Sequence, residues 1–419
     1  MKVQLDEYEV EALMAPDFWR RLCPWLHVEG VAAAAAPAQS EAEPRAPAGC
    51  ATAREDWGTS TATSTVPAHA WNVAAMREHL VSEGYMVADT DRAALVAEAM
   101  AVPPPPTQQP QQPPTSQHHG LAIPTWGLLM VQLRRGIEAL VALGLAPSLV
   151  LVYDEAWLLP ALLAPMLEPM APGNRLLGDW YMFHVDGAGT DTGTDAATDT
   201  KSPPPGQAGP GAGWPPHRDR PGADPRVSFH TDGSPRFMTV WVALSDATPQ
   251  SSCLMVVPAR DDPAYFVGDL DEERGPLASV FDRPQAWQSI VALPVSAGSV
   301  VAFSSRLLHW GSKAQRHGSP SATGTPPLPR IAVSFALADP TFEQPYFDTA
   351  AQPSPPLPLR VALVAGQALN YHAQAPLSRR NADLFTRLFM SQKASFHEDY
   401  HAKIANAAQW IRFSRSYAS

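Results

Sequence analysis

Cysteine is scarce in this chain. Cys23, Cys50 and Cys253 are the only three in 419 residues, and no two of them form a Cys-x-x-Cys pair. Neither a disulfide framework nor a thiolate zinc site is expected from so few, and a reducing compartment fits. Long apolar runs are also missing: none approaches the roughly 20 residues that a membrane helix needs. Basic residues are in deficit, with 30 Lys and Arg against 41 Asp and Glu, a net charge of -11 and a pI near 5.6. Non-specific nucleic-acid binding relies on a basic surface and is not expected. The opening residues, Met1-Lys2-Val3-Gln4-Leu5-Asp6-Glu7, have no hydrophobic secretory core and are acidic where a transit peptide is not. The expected location is cytoplasmic, with no membrane and no nucleic-acid partner.

Proline is abundant, at 45 residues. With Ala, Gly, Ser and Thr it gathers in patches near 31–70, 102–119, 187–213, 317–329 and 349–358. Such stretches have too little apolar surface to bury and read as disordered insertions. Between them lie patterned segments. Trp71 to Gly84 and Trp126 to Gly144 carry helical periodicity, the first ending on a C-cap glycine. Asp154 to Met170 is apolar but interrupted by Pro160 and Pro165, which predicts two short helices. The texture then changes to β-branched and aromatic runs: 179–185, 238–244, 253–258, 298–303 and 330–337. Leu359 to Ile411 returns to helix. Helices, then strands, then helices predict an α+β fold around one all-β core, a sandwich or jelly roll. The expected division is a helical N-terminal region over 1–120, a core over 121–346 and a helical segment over 347–419.

Within the core, Trp214-Pro215-Pro216-His217-Arg218-Asp219-Arg220 puts an imidazole and a carboxylate two residues apart. In an extended strand, residues i and i+2 share a face. His217 and Asp219 can thus supply two of the three ligands of the facial triad of non-haem iron oxygenases. With 13 histidines, about 0.7 His-x-Asp triplets are expected by chance. The chain has four, headed by His184, His217, His230 and His397, so the surroundings must choose. His309 follows the strand at 298–303; read alone, it is either a third ligand or a strand-end histidine bonded to backbone. Arg330 heads the last strong strand; read alone, it either faces inward, where a guanidinium needs an anionic partner, or lies on the surface.

The order of these parts resembles the phytanoyl-CoA dioxygenase-like family of Fe(II)/2-oxoglutarate-dependent oxygenases. Three segments carry the resemblance: Gly213 to Arg220; Asp232 to Arg236 leading into Thr239 to Pro249; and Leu308 to Ser312. It extends over roughly 125–345. The resemblance implies a double-stranded β-helix (a cupin-like jelly roll) flanked by helices. It implies that His217, Asp219 and His309 bind Fe(II) and that Arg330 holds the distal carboxylate of 2-oxoglutarate. Trp241 and Tyr181 are expected to border that co-substrate. The chain departs from the pattern in the swollen gap before Arg330, and in Ala332, which stands where relatives can have a serine beside the carboxylate. The implied reaction uses O2 to hydroxylate a C–H bond of a small-molecule or acyl substrate, releasing succinate and CO2. An aspartate at 219, where halogenating relatives have a small residue, points to hydroxylation. Both histidines must be neutral to bind, so iron affinity should fall below about pH 6. Two rival readings are a metal hydrolase using His217, Asp219, His230 and Asp232, and a non-catalytic jelly roll that only binds a ligand.

Overall fold

The computed structural model describes residues 2–28, 71–90, 125–185, 214–220, 224–269, 276–282, 284–311, 329–372 and 377–414. The patches expected to be insertions at 31–70, 102–119 and 187–213, and 317–329 up to its last residue, lie outside the described residues.

Among the described residues, eight strands make two antiparallel sheets. They are β1 (Tyr85–Ala88), β2 (Arg175–Val185), β3 (Phe237–Ala243), β4 (Leu254–Val257), β5 (Val291–Leu293), β6 (Val300–Ser304), β7 (Leu308–Gly311) and β8 (Arg330–Ala338). The larger sheet has the order β1-β6-β3-β8-β2 and the smaller β5-β4-β7. Side chains alternate across the larger sheet, as the strand period of two requires. Met238, Val240 and Val242 of β3 and Ile331 and Val333 of β8 join the core under the helices. Trp241, Ala243, Val301, Phe303 and Ala332 turn the other way and pack against Leu254, Val256 and Leu293 of the smaller sheet. Both faces of the larger sheet are therefore buried. The helices and antiparallel strands make this an α+β protein.

The helices are α1 (Val10–Leu13), α2 (Pro16–Leu22), α3 (Val73–Glu83), α4 (Trp126–Ala142), α5 (Asp154–Leu167), α6 (Pro276–Val280), α7 (Leu357–Asn370), α8 (Arg379–Ser391) and α9 (Glu398–Ser414). Asn72 caps α3 by accepting from the Ala75 amide, and Gly84 ends it at φ 82°. None of the helices is long and apolar enough to cross a membrane, among the described residues.

Three expectations need correcting. The stretch with Pro160 and Pro165 is one helix, α5, not two. An interior proline costs about 3 kcal/mol. Trp157, Leu158, Leu159, Leu163, Met166 and Leu167 are all buried, at about 1.5–3 kcal/mol each, so packing outweighs both prolines. The patch at 349–358 is not a spacer but packed chain. The buried Thr349 hydroxyl donates to the Leu176 carbonyl at 2.9 Å, and Arg360 of α7 donates to Pro355 O at 2.5 Å and Ser354 Oγ at 3.0 Å. Finally, the sheet expected within 121–346 takes its edge strand β1 from residues 85–88, hydrogen-bonded to β6. An unpaired β6 edge would leave backbone groups exposed to pairing, and β1 covers it.

Candidate active site

The segment from Trp214 runs antiparallel beside β7. His217 N donates to His309 O at 3.0 Å, His309 N donates back to His217 O at 3.1 Å, and Gly311 N donates to Trp214 O at 3.1 Å. The two histidines are thus direct cross-strand neighbours, with ring centroids 4.3 Å apart. Alternation sends His217 and Asp219 to one side and Arg218 to the other. Arg218 enters a buried nest, where Nη1 meets Asp262 Oδ2 at 2.7 Å, Nη2 meets Asp269 Oδ1 at 3.0 Å, and the Arg306 carbonyl also accepts. This clamps the motif strand to the loop after β4.

Backbone carbonyls set the tautomer of each ring. His217 Nδ1 lies 2.7 Å from Pro215 O, and His309 Nδ1 lies 3.1 Å from Leu307 O. A carbonyl only accepts, so each Nδ1 carries the proton and each Nε2 keeps its lone pair. Both Nε2 atoms point at Asp219 Oδ1, at 3.5 and 3.6 Å. The other oxygen, Oδ2, accepts from the Thr239 hydroxyl. One ligand atom from each of the three side chains lies within 4.8 Å of the others, the one such group among the described residues.

Burial raises the Asp219 carboxyl pKa, but His309, His217 and the Thr239 hydroxyl outweigh it and hold the group ionised, well below the usual range. Burial first, and then the neighbouring His217, push the His309 imidazole down to about 4. That ring therefore stays in its metal-binding form below pH 6 and is not what would release iron there.

These three side chains line a cavity of about 210 Å³ with Tyr181, Phe183, Thr239, Trp241 and Arg330. Arg330 is 1% exposed, and its Nε and Nη1 have no hydrogen-bond partner among the described residues. Its guanidinium lies 5.1 Å from the Phe183 ring and 5.7 Å from the Trp241 ring, with no carboxylate paired to it among the described residues. Burial pushes its pKa down to about 10. Tyr181 joins the same wall, its phenol pushed up to about 12 by burial.

The competing His-x-Asp pairs go elsewhere. Asp232 accepts from the Ser234 amide at 3.0 Å and pairs with Arg77 at 2.6 Å, while His230 Nε2 faces Asp339 at 3.6 Å. The four-ligand hydrolase set does not assemble. His184 lies on β2 opposite Ile331. His397 accepts from the Asp399 amide at the start of α9.

Sequence reasoning missed the far end of the cavity. Arg220 is held by Asp179 at 3.0 Å and Glu343 at 2.6 Å, and Tyr371 donates to the other Asp179 oxygen at 2.6 Å. Asn370, Tyr371 and Lys403 reach the cavity from the C-terminal helices. Ser334 enters from β8, two residues along the inward face from Ala332. Only Arg220 and Ser334 had a local signal, one beside the motif and the other on the Arg330 face.

The family model of phytanoyl-CoA dioxygenase (PhyH) matches residues 198–318, which hold all three candidate ligands. The resemblance read from the sequence is this family's. No curated protein matches the chain significantly. Similar solved structures include the epimerase SnoN in complex with Fe3+, alpha ketoglutarate and nogalamycin RO, at 19% identity, 66% of this chain, 85% of that one and TM-score 0.37. Another is EctD from S. alaskensis in its apoform, at 16% identity, 65% and 79% coverage and TM-score 0.34. HygX from Streptomyces hygroscopicus with nickel and 2-oxoglutarate bound is similar at 16% identity, 65% and 88% coverage and TM-score 0.35.

Proposed function

We propose that this chain, with its phytanoyl-CoA dioxygenase-like segment, is a cytoplasmic Fe(II)- and 2-oxoglutarate-dependent dioxygenase that hydroxylates a C–H bond of a small-molecule or acyl substrate. Its two sheets form a double-stranded β-helix (jelly roll) over about 121–346, completed by β1. The observation that carries the reading is a pairing. Two imidazoles with lone pairs aimed at one carboxylate oxygen share a cavity with a fully buried guanidinium that no anion of the described chain neutralises. The donor set is the one expected for a 2-His-1-carboxylate iron site.

His217, Asp219 and His309 would hold the ion at the wall of the cavity that they line. Thr239 holds the far oxygen of Asp219, so that Oδ1 is presented to the ion. Arg330 takes the distal carboxylate of 2-oxoglutarate, which supplies the anion that this guanidinium lacks. Phe183 and Trp241 wall that end against water, and Tyr181 lies beside it. When bound, the iron supplies oxidative decarboxylation of 2-oxoglutarate by O2 to succinate and CO2, coupled to oxidation of a substrate C–H bond. The substrate enters where Asn370, Tyr371 and Lys403 line the cavity.

The test is anaerobic addition of 2-oxoglutarate to the Fe(II)-loaded protein. A metal-to-ligand charge-transfer band is expected in the wild type and none in Asp219→Ala or His217→Ala. A wild-type protein that develops no band overturns the proposal. A band without oxygen-dependent succinate would leave a ligand-binding protein instead.

A further inference from the structure

Gly311 and Arg330 share one wall of the cavity, and behind them lies the turn that leads into β4. In that turn Ser252 is the one non-glycine residue with positive φ, 73°, among the described residues. It is 0% exposed, and its hydroxyl has no hydrogen-bond partner among the described residues. A left-handed backbone strains any residue with a Cβ, and a buried hydroxyl left unpaired has lost its hydration for nothing. Glycine would remove both penalties. Their coincidence at a serine asks what the hydroxyl is for.

Its surroundings give an answer. A Cβ built on Gly311 would lie 3.3 Å from Ser252 Oγ, 3.4 Å from the Trp214 main-chain nitrogen and 3.5 Å from Arg330 Nη2. The missing side chain thus leaves a small space that a hydroxyl and a guanidinium face together. The nearby alternatives are engaged: Ser334 Oγ donates to Tyr181 O at 3.4 Å, and Ser251 Oγ accepts from the Thr248 amide at 2.9 Å. Ala332, on the inward face next to Arg330, has no hydroxyl to give.

We propose that Ser252 Oγ is a second donor to the carboxylate held by Arg330, a binding residue reaching the pocket from the smaller sheet. The inference rests on the dioxygenase reading, since it takes that carboxylate to be the distal one of 2-oxoglutarate. The hydroxyl donates to one carboxylate oxygen while the guanidinium serves the other, which gives the buried serine its missing partner on binding.

Ser252→Gly and Ser252→Ala separate binding from folding. Fe(II)-loaded wild type and variants are titrated anaerobically with 2-oxoglutarate and with 2-oxobutyrate, which has the same 2-oxo acid head and no distal carboxylate. Loss of one charge-assisted hydrogen bond should weaken 2-oxoglutarate about 10-fold or more in both variants and leave 2-oxobutyrate unchanged. Ser252→Gly, relieved of strain, should also melt above the wild type without ligand. Variants that bind 2-oxoglutarate as the wild type does, or that lose both acids equally, overturn the role of Ser252 alone. A wild type that binds no 2-oxoglutarate overturns the dioxygenase reading and this inference with it.

Discussion

Two buried arginines, one on each side of the same wall, behave in opposite ways. Arg218 and Arg330 are 2% and 1% exposed. Burial lowers the pKa of both, but the hydrogen bonds that Arg218 donates to Asp262 and Asp269 more than restore it, whereas Arg330 stays pushed down to about 10. The first completes itself within the fold. The second has no carboxylate partner among the described residues, and in the proposed reading the co-substrate supplies one. A buried charge with its partners marks architecture, and a buried charge without them marks a binding site.

The largest effect that tests this contrast comes from replacing each arginine with methionine. Arg218→Met strands the buried Asp262 and the half-buried Asp269 and should lower ligand-free stability by about 3–5 kcal/mol in chemical denaturation. Arg330→Met removes a charge that has no carboxylate partner among the described residues, so ligand-free stability should hold or rise, while 2-oxoglutarate binding to the Fe(II) form weakens about 100-fold. Equal destabilisation by both would erase the distinction.

A smaller effect lies in pH. His309 is neutral in the folded chain down to about 4, against an ordinary 6.5. Between those values the unfolded chain binds the extra proton, so acid favours unfolding. Ligand-free stability is therefore full above about pH 6.5 and falls toward pH 4, by at most about 3 kcal/mol. His309→Gln should flatten that fall when unfolding is followed at pH 7 and pH 4.5.

The smallest effect concerns the rival pair. Asp232→Ala loses a largely exposed contact with Arg77 and a turn contact with Ser234, so it should change stability by no more than about 1 kcal/mol. Iron stoichiometry should not change at all. Loss of iron there would return His230 and Asp232 to the site.

The grouping of His217, Asp219 and His309 was legible because each sits at a spot with local meaning: a strand pair two apart, and a histidine after an apolar strand. Arg330 was legible from its order in the chain. Tyr371, Asn370 and Lys403 were not, since nothing in a C-terminal helix announces that it will reach a cavity between sheets far earlier in the sequence. Ser252 was hidden for a different reason: its φ is imposed by the turn and by β4 pairing with β7, and serine gives no local signal of it. The prolines of α5 misled because a local rule was applied where tertiary burial decided. The patch at 349–358 misled in the same way, its composition suggesting a spacer where the chain is tied to β2 and α7.

The reciprocal amide bonds between His217 and His309 have a consequence of their own. The two imidazoles are joined through their own backbones, so the geometry of the proposed iron site would belong to the sheet and not to the ion. Chelation should therefore empty the centre without loosening the strands around it. Metal exchange in this protein would then be a change of occupant in a frame that stands by itself, quick to reverse once a suitable cation is supplied.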